Sequence, residues 1–137
     1  MIIDDDDLLY RVEDGAYLYD GEPFTGIAQG HTSDGALVSE IAYVNGVQEG
    51  LARHWYPSGG LLSEEHYLNN SAHGPSREWY ENGQLKRDSE YEHAVLVREM
   101  AWDENGALTE DFVLSEGDPM FKTLQDFREI YRMYHPK

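Results

Sequence analysis

Carboxylates and histidines are the side chains here whose types and spacing invite chemistry. Asp4, Asp5, Asp6 and Asp7 stand in one run, and Glu64-Glu65-His66 sets two acids beside an imidazole. A carboxylate run would serve a divalent cation, and an acid–imidazole cluster would move a proton. Neither meets the demands of its chemistry. Calcium loops space their oxygens around a turn glycine, whereas consecutive residues of an extended chain point to alternate sides. The acidic run therefore reads as a solvated face. His31, His54, His66, His73, His93 and His135 show no His-x-x-x-His or comparable zinc spacing. The chain has no cysteine, so a thiolate site and a disulfide framework are both excluded. No glycine-rich phosphate loop and no nucleophile elbow is visible. The expectation is a protein that is not an enzyme and takes neither cofactor nor metal.

Arg53 and Arg77 recur 24 residues apart, each just upstream of a tryptophan. They either pair with neighbouring acids such as Glu65 or Glu78, or present a cationic stripe on a concave face.

Charge bounds the partners. Twenty-seven acids against ten bases leave −17, and residues 1–50 hold eleven acids with Arg11 as their single base. Such an excess repels nucleic acid and anionic lipid. It either steers a basic partner or serves solubility. The candidate partner-binding residues are Asp4, Asp5, Asp6, Asp7, Glu13, Asp14, Asp20, Glu22, Arg53 and Arg77. The start of the chain carries acids where a secretory signal carries bases, and no run nears the ~18 apolar residues of a membrane span. A soluble cytoplasmic protein is the expectation.

The elements that must position these groups repeat. Tyr19, Tyr43, Tyr67 and Tyr91 lie 24 residues apart, and Gly35, Gly59 and Gly83 keep the interval, as do Leu37, Leu61 and Leu85. Trp55 and Trp79 follow it, whereas Trp102 arrives one residue early. A fixed period of this length marks an array whose units bury their apolar faces against neighbours. Each unit holds two runs of six or seven residues, broken by Pro/Gly and Asn-rich clusters, which are strand–turn–strand signals. Asn-Gly and Asp-Gly pairs supply the positive φ of tight hairpins. Asn69-Asn70 and Glu92-His93-Ala94 lack that glycine, so their turns are expected to be looser or longer.

The fold class is thus mainly β: an elongated antiparallel meander of 24-residue hairpin repeats closed by an amphipathic helix. Residues 1–16 form an acidic segment and opening hairpin, 17–116 the array of about four units, and 117–137 the capping segment. Asp118-Pro119 opens a helix over 119–134, with Met120, Leu124, Phe127, Tyr131 and Tyr134 at helical spacing. That helix either caps the array or binds a partner. The expected core is Trp55, Trp79, Trp102, Leu61, Leu85, Tyr43, Tyr67 and Tyr91, and loss of a buried tryptophan would cost ~3–5 kcal/mol.

Tyr43, Gly46, Gly50, Trp55, Tyr56, Gly59 and Leu61, then Tyr67, Gly74, Trp79, Tyr80, Asn82, Gly83 and Leu85, resemble the bacterial variant of the MORN (membrane occupation and recognition nexus) repeat. The resemblance spans about residues 17–114. It implies a YwqK-type antitoxin or immunity component that neutralises a neighbouring toxin, a nuclease or deaminase, by binding it. The partner would then be a basic toxin domain, with no direct contact to nucleic acid or membrane and a monomer or weak homodimer when free. A scaffold serving a non-toxin partner is the alternative.

Overall fold

The computed structural model describes residues 1–136. In chain order the strands are β1 (Ile2–Asp4), β2 (Leu9–Arg11), β3 (Ala16–Tyr19), β4 (Glu22–Pro23), β5 (Gly26–His31), β6 (Leu37–Val44), β7 (Val47–Trp55), β8 (Leu61–Leu68), β9 (Ser71–Trp79), β10 (Leu85–Glu92), β11 (Val95–Trp102) and β12 (Leu108–Val113). One helix, α1 (Pro119–Tyr134), follows. Strands β5 to β12 run as an antiparallel meander, and the helix closes the chain, as the period and the apolar spacing predict. The expected opening hairpin forms as β2–β3. Two N-terminal features are additions: β1 joins the meander parallel to β5, and β4 extends the hairpin into a separate three-stranded sheet. The expected boundary at residue 16 falls inside β3.

A side chain on a single-layer sheet keeps one flank open to water unless a second layer covers it. α1, with Leu124 buried, gives partial cover at one end of the array, and the small sheet gives a fuller layer where it meets the first repeat. There Ile3, Phe24, Ala28 and Tyr43 form the apolar core, with Leu8, Tyr17, Tyr19 and Ile41 against them. Tyr43 lies 5.1 Å from the Tyr17 ring and 5.9 Å from Phe24, centroid to centroid. Burial, with Tyr17 and Asp5 beside it, pushes its hydroxyl pKa up to about 12. Of the eight expected core residues Tyr43 alone is buried. Trp55, Trp79, Trp102, Leu61, Leu85, Tyr67 and Tyr91 are half-buried. Trp55 does sit beside Leu61, and Trp79 beside Leu85, across neighbouring strands.

Hydrogen bonds between units replace the missing layer. At one end of the hairpins the Tyr56 hydroxyl donates to the Trp79 carbonyl (2.7 Å), and Tyr80 donates likewise to Trp102 (2.8 Å). At the other end the second residue of each turn donates its N–H to the preceding unit. The pairs are Gly46 to Phe24, Asn70 to Gln48 and Ala94 to Ala72, all at 2.8–2.9 Å. These three turns are alike, with both central residues at positive φ: 48° and 83°, 50° and 68°, 50° and 66°. The expectation of looser turns at Asn69-Asn70 and His93-Ala94 is therefore wrong. The staple to the preceding unit holds the tight two-residue turn even where alanine is strained in it. Only the first needs its glycine for space, since a Cβ on Gly46 would meet the Tyr17 carbonyl at 3.1 Å and the Ala16 Cβ at 3.2 Å.

The one-residue slip before Trp102 has a structural cause. Between the pairs Ile41↔Ala52 and Tyr43↔Gln48, β7 carries two more residues than β6, in a bulge holding Gly50 at φ 101°. The next hairpin repeats it around Gly74 at φ 110°. In the last hairpin Glu90↔Arg98 and Tyr91↔Leu96 leave β11 one residue over, and no glycine is present. The bulge absorbs the deletion.

Candidate functional site

Three places gather the groups that could meet a partner. The first is the N-terminal acidic region. Asp4 ends β1, and Asp5–Asp7 wind into a 3₁₀ turn rather than an extended run, with the Asp4 carboxylate accepting from the Asp6 N–H at 2.9 Å. This brings carboxylate oxygens of Asp4, Asp5 and Asp6 within 4.8 Å of one another. Burial first, then the charges of Asp6 and Asp4, hold Asp5 above its ordinary pKa. Asp14 is turned inward on its own hairpin by a 2.6 Å ion pair with Arg11, whose hydrogen bond is the main reason its pKa falls to about 2. Glu13, Asp20 and Glu22 are exposed around the small sheet.

The second is a transverse row of charge. Strand pairing places Gln29, Glu40, Arg53, Glu64, Arg77 and Asp88 side by side on β5 to β10, and continues the row through Met100 to Asp111 on β12. Gln29 donates to Glu40 at 2.8 Å, Arg53 pairs with Glu64 at 2.8 Å, and Arg77 with Asp88 at 3.5 Å. The arginines are thus paired, yet not with Glu65 or Glu78. Those two belong to the opposite face, beside Ala52 and Ser63. There Glu65 approaches His54 (4.0 Å) and Glu78 approaches Arg87 (3.7 Å), while Arg87 and Ser89 hold the buried Glu99 carboxylate at 3.0 and 2.9 Å. Alternation separates adjacent residues, so neither arginine reaches an acid one position out of register. No cationic stripe survives this pairing. The row also lies apart, on later strands, from the N-terminal acids other than Asp4, which stands at its start beside Gln29.

The third was not read from the sequence as a cavity. α1 is anchored at three points on the β10–β11 hairpin side of the array. Leu124 is buried to 1% exposure. Arg128 makes a bidentate pair with Glu92 (2.6 and 2.8 Å), and that hydrogen bond chiefly lowers the Glu92 pKa. Tyr131 meets the His93 ring at 5.1 Å, and His93 in turn meets His73 at 4.7 Å while donating its N–H to His73 Nδ1 at 2.9 Å. Burial, then His73, lowers the His93 pKa. Between the helix and the hairpin turns an open groove of about 590 Å³ remains, walled by Leu68, Phe127, Ile130, Tyr131 and Tyr134, with Glu49 on its rim. Among the described residues Glu49 has no ion-pair partner. The helical apolar spacing was the available signal. It marked a face that α1 buries only in part, since Phe127, Ile130 and Tyr134 stay exposed.

Polar and apolar surfaces lie in register along the sheet, and the groove under α1 adds an open apolar cleft beside them. Among the described residues no helix is long and apolar enough to cross a membrane.

No curated protein matches the chain. A chain in the crystal structure of accessory secretory protein 1, 2 and 3 of Streptococcus pneumoniae is similar at 14% identity and a TM-score of 0.38. That likeness covers 93% of this chain but spans only 27% of the other. The family described as the MORN repeat variant matches residues 48–69 and 72–93, the segments containing the β7–β8 and β9–β10 strand pairs. The two central units of the array thus match the MORN repeat variant, and the flanking hairpins continue the same strand pattern.

Proposed function

We propose that the chain is an antitoxin or immunity protein that neutralises a cognate bacterial toxin in the cytoplasm by stoichiometric binding, without catalysis. The toxin would be a basic domain of the nuclease or deaminase type. One observation carries the reading. Seven of the ten lysines and arginines are held in ion pairs with acids of the chain itself, against 27 acids in all. Most of the cations are paired internally, and among the described residues the surplus carboxylates have no cationic partner. A field of one sign steers a basic surface to the array and repels nucleic acid, the toxin's own substrate.

The α1 groove favours a second reading, a scaffold for a non-toxin partner, because its walls are apolar and select by shape rather than by charge. Co-expression with the neighbouring toxin-like reading frame separates the two. Full protection reached at about one equivalent, with a complex of fixed stoichiometry, supports neutralisation by binding. Protection far below one equivalent would mean catalysis on the toxin or its target. Failure to bind at any ratio would leave the scaffold.

A further inference from the structure

The last strand of the sheet has an open side. The Leu114 N–H donates to the Val97 carbonyl at 2.9 Å, continuing the β11–β12 ladder. Antiparallel strands alternate which residues bond inward, so Phe112 bonds towards Glu99 of β11 while the N–H and C=O of Asp111 and Val113 point away. β12 ends the strand order, and its outer edge has no strand against it. Val113 is 66% exposed and its neighbours Thr109, Glu110 and Asp111 are exposed too. Proteins normally blunt such an edge or use it.

Charge says what fits. The transverse row alternates acid and base over Glu40, Arg53, Glu64, Arg77 and Asp88, then ends on Asp111, which has no ion-pair partner among the described residues. Glu110, on the opposite face, makes no ion pair among the described residues either, although its charge is felt by Arg87. From residue 99 to residue 121 the chain carries seven acids and no lysine or arginine. A second copy brings −17 of its own and the same acids to the edge. A basic strand removes the imbalance.

We propose that β12 is a docking edge that takes an antiparallel β-strand from a basic protein partner. The partner strand places two adjacent apolar residues beside Val113 and Phe112, then two adjacent basic residues beside Asp111 and Glu110. Main-chain bonds to Asp111 and Val113 hold it, and the two cations extend the charge row on one face and neutralise Glu110 on the other. This deepens the binding reading given above, since it names the element of the partner that is bound, but it does not depend on that partner being a toxin.

The test uses the full chain, isotope-labelled, and a cyclised β-hairpin peptide as the probe. One edge of the probe reads valine, isoleucine, lysine, arginine. A control peptide carries glutamate and aspartate in place of the two bases. The basic probe should slow hydrogen exchange of the Asp111 and Val113 amides and bind roughly tenfold tighter than the acidic control. Val113→Pro, which deletes an outward N–H and leaves the inward ladder intact, should abolish protection at Asp111. Should that variant fold poorly, the double change Glu110→Lys with Asp111→Lys should instead reverse the preference between the two peptides. Three results would overturn the proposal: equal affinity for both peptides, no protection at millimolar probe, or protection of the two amides in the free chain that rises with concentration alongside a dimer mass. A failed toxin titration with a successful peptide result rejects the toxin and keeps the edge.

Discussion

The hydroxyl of Tyr56 donates to the main-chain carbonyl of Trp79 across 2.7 Å, joining two consecutive repeat units through a side chain. Tyr80 and Trp102 repeat the bond one unit later at 2.8 Å. The Trp-Tyr pair of each repeat thus has a division of labour. The tryptophan supplies partly covered apolar surface and an acceptor for the unit before it, and the tyrosine reaches forward to the unit after it.

Tyr56→Phe should therefore destabilise the chain by about 1 kcal/mol, the net value of one hydrogen bond, while leaving the strand spectrum unchanged. Tyr80→Phe should do the same, and the two should add to within about 0.5 kcal/mol because they bridge different units. Urea unfolding of the single and double variants measures both. Wild-type stability in Tyr56→Phe would remove the bond from the list of what holds the units together.

Trp79→Ala should cost about 2 kcal/mol rather than the ~3–5 of a fully buried tryptophan, since its ring is only half-covered. The sheet should remain folded. Complete unfolding at room temperature would show that the ring carries more of the packing than its exposure allows.

Ala94 holds φ 66° in an exposed turn, a conformation that costs an L residue about 1 kcal/mol and glycine nothing. Ala94→Gly should raise the melting temperature by a few degrees. The same change at Ala72, which lies on a strand and accepts the Ala94 N–H, should lower it. A lower melting temperature for Ala94→Gly would contradict the strain.

Arg128 lowers the Glu92 pKa, so the sign of the pH effect follows. The unfolded Glu92 titrates in the ordinary carboxylate range, above its folded value. Its contribution to docking of α1 is present above that range and is lost as pH falls through the folded pKa. Hydrogen exchange of the α1 amides should accelerate on acidification, whereas in Glu92→Gln exchange should already be faster at neutral pH and respond less to acid. Identical profiles would show that Leu124 and the Tyr131–His93 contact hold the helix without the ion pair.

Much of this arrangement was written in local patterns. The 24-residue spacing of tyrosine, glycine and leucine is a local signal repeated, and it located the hairpins, while Asp118-Pro119 and the apolar spacing after it located the helix. What it left out depends on contacts between units. The turn at His93-Ala94 looks unfavourable by residue type, and only the bond from Ala94 to Ala72 explains it. Arg53 pairs with Glu64 rather than Glu65 because strand register, set by bulges, decides which acid shares its face. β1 is three residues long, and its parallel partner lies over twenty residues away, so no periodicity announces it. The groove under α1 exists because the helix covers the hairpin ends incompletely, a fact of docking that amphipathic spacing alone does not contain.

The bonds from Gly46 to Phe24, Asn70 to Gln48 and Ala94 to Ala72 all run backwards along the chain, from a later turn to an earlier carbonyl. As the polypeptide leaves the ribosome, each strained turn emerges after the acceptor that will hold it. Folding of these turns can keep pace with synthesis unit by unit, each turn N–H finding its carbonyl already made. Starting from the other terminus would lack that order: every turn would wait for an anchor not yet made.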